Sequence, residues 1–121
     1  MKEKTKLKLN ILKDKQVISE ETYDKVIEIE KSLIQIVPNI EEIDTDFMYT
    51  HLSMAIDRVE KNKQLTEEND FIKEQLIASE FYDEARSLLA SLSNEIDVMF
   101  NEPESTMILL HLSNLLSQRG E

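Results

Sequence analysis

A single glycine among 121 residues is the strongest constraint this sequence places on its fold. Tight hairpins need backbone with positive φ, which glycine adopts at least cost. Phosphate-cradling loops are glycine-rich because the backbone must come close to the ligand. Sheets built from hairpins and phosphate loops are therefore both disfavoured. With only two prolines and abundant Leu, Ile, Glu, Lys and Ser, the chain reads as all-α, a compact bundle of five or six helices on short links. Its length fits one domain, residues 1–121, with a core large enough to need no staples. There is no cysteine, hence no disulfide and no thiolate metal site. No apolar run approaches a membrane span, and the Lys-rich start lacks the apolar stretch of a secretory signal. The expected location is cytoplasmic, with no membrane contact.

The net charge of −11 is uneven. Residues 1–15 carry +4 and the remainder −15. An acidic body disfavours a nucleic-acid backbone, which lysine and arginine neutralise, so no direct nucleic-acid contact is expected. The Lys-rich start is interleaved with Leu7, Leu9, Ile11 and Leu12 and reads as an N-terminal helix within about residues 1–15.

Apolar spacing and capping residues outline the other elements. Ser19 is placed to cap a helix whose apolar positions are Tyr23, Val26, Ile27, Leu33, Ile34 and Val37, and Pro38 ends it. After a loop over 39–45, Asp44, Thr45 or Asp46 can cap a helix with Met48, Leu52, Ala55, Ile56 and Val59 on its apolar face. Thr66 or Asn69 caps a piece holding Phe71, Ile72, Leu76 and Ile77; a break near Ser79 precedes another with Phe81, Ala85, Leu88, Leu89, Leu92 and Ile96. Asn101-Glu102-Pro103-Glu104 starts the last helix: Asn101 caps, Pro103 sits in the first turn, and Glu104 completes a capping box. Ile108, Leu112, Leu115 and Leu116 form its apolar face.

His51 and His111 are the only histidines, and both are followed by Leu-Ser. Each has an acid seven residues upstream, Asp44 and Glu104, a spacing that puts acid and histidine on one side of a helix. A helical histidine beside apolar neighbours is usually a partly buried structural residue. Two in one local context, with no others in the chain, weaken that reading and set reactive imidazoles beside it as the alternative. A neutral imidazole nitrogen can act as a nucleophile while its partner nitrogen is held, and a phosphate placed there would alter packing or association.

Other chemistries lack their parts. No glycine-rich elbow presents a serine nucleophile. A di-iron bundle needs Glu three residues before each histidine, where this chain has Met48 and Ile108. No spacing supports zinc. The chain reads as a regulator rather than an enzyme, with no cofactor.

The run Met48-Tyr49-Thr50-His51-Leu52-Ser53-Met54-Ala55-Ile56-Asp57-Arg58 resembles the first histidine helix of the PTS regulation domain, or PRD, including an arginine seven residues after the histidine. Glu104 to His111, followed by Leu112, resembles that family's second histidine helix, and residues 12–19 resemble its opening. Thr50 stands where many members have Asp. The resemblance implies a helical bundle, usually a homodimer. It implies histidines phosphorylated by the phosphocarrier HPr or a sugar-specific enzyme IIB component, with the phosphate controlling transcription or antitermination. On it, His51 and His111 are the phosphorylation sites, and Arg58, Glu104 and Asp44 support them. Arg58 would pair with phosphate or an acid, against the plainer reading of an ordinary surface ion pair with Asp57 or glutamate neighbours.

Two other readings compete. One is a helical interaction module whose histidines are structural. The other is a two-component phosphotransfer domain, disfavoured because neither histidine has the Lys and Gly that usually follow.

Overall fold

The computed structural model describes residues 1–120, and their regular structure is entirely helical. The elements are α1 (Glu3–Asp14), α2 (Glu20–Ile36), a 3-10 turn (Ile40–Glu42), α3 (Asp46–Glu60), α4 (Asp70–Ile77), α5 (Tyr82–Ile96) and α6 (Glu102–Ser117).

Three helix starts form as their residue types dictate. Ser19 Oγ accepts from the Thr22 N–H at 3.0 Å, Asn69 Oδ1 from Ile72 at 3.1 Å, and Asn101 Oδ1 from Glu104 at 3.0 Å. The capping box at α6 is not completed. The Asn101 N–H donates to Gln64 Oε1, and the Glu104 carboxylate turns toward α3 instead. At α3 it is Asp44 that acts, its Oδ1 accepting from the Asp46 N–H. Asp46 itself is buried and receives Thr5 and Lys8 of α1, which fastens α1 to the start of α3.

A chain with one glycine must end its helices by other means. Gln16, Asn62 and Asp97 enter the left-handed region with φ of 61°, 56° and 54°. In each case the next N–H reaches back five residues: Val17 to Leu12, Lys63 to Arg58 and Val98 to Ser93. These are Schellman closures of α1, α3 and α5, made without the glycine that usually serves them. Each left-handed residue costs roughly 1 kcal/mol in a non-glycine.

The core lies where α6 packs on α3 and α5, and α2 on α3 and α5. It is filled by Val26, Ile29 and Leu33 of α2, Leu52 and Ile56 of α3, Leu88 and Leu92 of α5, and Leu112 and Leu116 of α6. The α2 face is rotated from its sequence reading: Thr22, Val26, Ile29 and Leu33 point inward, whereas Ile34 is exposed. In α4 only Leu76 is buried, and Phe71 remains 68% exposed. In α1 Leu9 is buried while Leu7 and Ile11 are exposed. Tyr49 is fully buried beside this core, and burial raises its phenol pKa above the ordinary value, helped by the charges of Glu30 and Glu41.

Candidate functional site

Helices α3 and α6 run antiparallel, and two side-chain pairs fix their register. His51 faces His111, and Arg58 faces Glu104. Seven steps forward along α3 match seven steps back along α6, so the pairs stand two helical turns, or about 10 Å, apart. Each histidine sits beside a buried stripe: Leu52 and Ser53 follow His51, and Leu112 and Ser113 follow His111. The stripes bury the two helices against each other and leave the imidazoles along one edge of the seam.

His51 Nδ1 lies 2.9 Å from His111 Nε2. The ring centroids are 5.0 Å apart, with the planes inclined at 65°. His51 is exposed, with the Phe47 ring 6.0 Å away, and His111 is half-buried. At this distance one nitrogen must donate and the other accept, so the bridge exists only when at least one of the two lacks its proton.

Burial, with the nearby charge of His51 adding to it, holds the His111 pKa below the usual 6.5. Folded protein therefore binds fewer protons at this position than unfolded chain. Stability should rise with pH between the depressed value and 6.5, and level off above it. Asp46 and Asp57 are held below the usual 3.8, so their contributions fade only at more acid pH. Urea unfolding at a series of pH values should show the histidine slope, and His111→Asn should flatten it. A slope unchanged in that variant would assign it to other groups.

The second pair is bidentate. Arg58 Nε donates to Glu104 Oε2 at 2.7 Å and Nη2 donates to Oε1 at 2.8 Å. Glu104 is 0% exposed, and Oε2 also accepts from the Leu65 N–H at 3.1 Å. Its carboxylate raises the Arg58 pKa further, so the guanidinium stays charged. Asn101 Nδ2 donates to the Leu65 carbonyl, so the segment between α3 and α4 is stitched to the start of α6. Between the two pairs lies a cleft of about 220 Å³, walled by Ala55, Met107 and Ile108 and roofed by Leu65.

The structure thus joins four of the five residues singled out in the sequence, as two pairs rather than one cluster. Arg58 is not held by Asp57, which instead binds Lys61, Thr22 and the Ser19 N–H. Asp44 does not share a helical face with His51. It precedes α3, outside the 3.6-residue repeat, and its carboxylate is engaged by the Asp46 N–H. It borders a hollow with Phe47 and His111. The contributions of Gln64 and Leu65 had no sequence signal, since irregular segments carry no period from which a contact can be read. Among the described residues no group of three or more His, Asp or Glu side chains could hold a metal ion, and no helix is long and apolar enough to cross a membrane.

The family model described as PRD domain matches residues 24–115. The match begins inside α2 and includes both histidines, Arg58 and Glu104. No curated protein and no solved structure matches the chain.

Proposed function

Because the chain belongs to the PRD domain family of phosphotransferase-system regulation domains, we propose that it is a phosphorylation-controlled regulatory module whose first acceptor is His51. The observation that supports this reading is the bridged histidine pair. With Nδ1 of His51 in the bridge, its Nε2 is directed away from it on an exposed residue. When Nδ1 carries the proton, Nε2 holds a lone pair suited to attack phosphorus. The donor is phosphorylated HPr or a phosphorylated enzyme IIB component. The new bond joins His51 Nε2 to phosphorus, the donor's N–P or S–P bond breaks, and the donor atom leaves with the electron pair.

The consequence for association follows from what lies nearby. Phe47, one turn before His51, and Leu110, next to His111, are exposed apolar side chains. A phosphate beside them places negative charge at the edge of a surface otherwise suited to a second copy or a partner protein. Control of transcription or antitermination through that surface, in a cytoplasmic homodimer, completes the reading. The chain regulates and does not catalyse.

Purified chain incubated with phosphoenolpyruvate, enzyme I and HPr should gain an acid-labile phosphoryl group by intact mass, with IIB components tested as the second donor. His51→Ala should remove most of the label. Label surviving the double change of His51 and His111 to alanine would defeat the proposal. Failure of every donor to label the chain, with a control regulator labelled in the same tube, would leave a helical interaction module with structural histidines.

A further inference from the structure

Resting on the reading of His51 as acceptor, we propose that His111 is a positioning residue for that reaction: it holds the His51 ring by Nδ1 and takes up the Nδ1 proton as Nε2 bonds to phosphorus. The observation that carries this is the bridge, His51 Nδ1 and His111 Nε2 at 2.9 Å.

An imidazole that attacks through one nitrogen becomes positively charged, because that nitrogen gives up its lone pair while the other keeps its proton. The charge is relieved by an acceptor at the second nitrogen. Among the described residues His111 is the one side chain that hydrogen-bonds His51. The carboxylate bordering the same cleft is committed elsewhere, since Glu104 holds Arg58 at two points and accepts the Leu65 N–H.

His111 has what the role requires. A proton acceptor must reach the proton and must itself be unprotonated at working pH. Burial, with the nearby charge of His51, keeps this ring neutral to lower pH than an ordinary histidine. Its ring also forms part of the wall of an apolar hollow with Leu52, Leu92 and Leu112, so core packing fixes its place. Asp44 borders a second hollow with His111, one that His51 does not line. The negative charge of Asp44 favours the proton of neutral His111 on Nδ1, outside the bridge, and leaves the Nε2 lone pair for His51. Arg58 borders the cleft on the other side, where Glu104 balances its charge.

The step balances. The His51 Nε2 lone pair forms the N–P bond, and the donor atom leaves with the electrons of its own bond to phosphorus. The electrons of the Nδ1–H bond stay on His51 and restore a neutral ring, and the proton passes to His111 Nε2. His111 then carries a proton on each nitrogen and one positive charge, opposite in sign to the new phosphate. The proton can return along the same path, and its return makes the His51 ring a better leaving group when the phosphate moves on.

Two measurements test the role. Nitrogen-15 NMR of the unaltered, unphosphorylated chain, above the pH range in which imidazoles titrate, should show the proton predominantly on Nδ1 of both rings, with His111 Nε2 accepting. This needs no variant and so does not depend on a variant folding. The opposite tautomer, with His111 Nε2 donating and His51 Nε2 carrying its own proton, would overturn the proposal. The second is the initial rate of labelling at His51 by potassium phosphoramidate, a small phosphoryl donor that makes the result independent of the natural one. His111→Leu, folded by circular dichroism, has no acceptor and should be slower by on the order of a hundredfold. His111→Gln can accept the Nδ1–H bond without taking the proton, and should recover part of the rate. A rate in His111→Leu within about twofold of the unaltered chain would overturn the positioning role alone. Label found only on His111, or on neither ring, would defeat the reading of His51 as acceptor and this role with it.

Discussion

Replacing Arg58 by alanine should lower the unfolding free energy by about 3 kcal/mol, a loss expected of a broken buried pair and not of a surface one. The asymmetry lies in Glu104. Its carboxylate is fully buried and takes two short bonds from the guanidinium, so without Arg58 only the Leu65 N–H remains to it. Arg58 itself is partly exposed, and water can hydrate it if Glu104 is removed. Lysine at position 58 should recover part of the loss, because it supplies charge without the two-pronged geometry. Changing both residues to methionine should cost less than changing Arg58 alone, since no charge is then left stranded. Urea denaturation of the single and double variants gives the coupling directly. A cost under about 1 kcal/mol for Arg58→Ala would place the pair among solvent-screened surface contacts.

The second large effect belongs to the core of the same helix. Leu112 is 2% exposed and lies among Met48, Leu52, Leu92 and Ile96, where α3, α5 and α6 meet. Leu112→Ala should cost about 3 kcal/mol, the sum of lost transfer energy and the cavity left behind. Leu110, two positions earlier, is 38% exposed, and Leu110→Ala should change stability by less than about 0.5 kcal/mol. The contrast tests the rotation of α6 as well as its packing. Equal losses at the two positions would mean that α6 presents a different face to its neighbours.

Much of this architecture was legible because helical periodicity and capping are local. The caps at Ser19, Asn69 and Asn101 need only short-range bonds, and the breaks near Pro38 and Ser79 follow from local chain chemistry. What failed was nonlocal. The α2 face turned toward Ile29 because neighbouring helices decide which of several apolar positions are covered. Phe71 and Ile77 stayed exposed because α4 has only eight residues to lay against α6. The histidines and Arg58 were recognisable as residues, but that they form two separate pairs depends on the antiparallel register of α3 and α6. Glu104 could be read as a capping residue, and it left that role for a partner 46 positions away.

The two cross-helix pairs also determine how α3 and α6 can move. A helix pair fastened at one point can swivel about it, and a long flexible contact can stretch as the helices shear. Fastened at two points about 10 Å apart, the pair resists both motions, since a slide of one turn would separate His51 from His111 and Arg58 from Glu104 together. A change made at the histidine end therefore leaves the Arg58–Glu104 end as a fixed pivot. The helices can open like a hinge at the imidazoles while their far rung stays closed, so the first displacement is an angular one, confined to the edge that carries Phe47, His51 and Leu110.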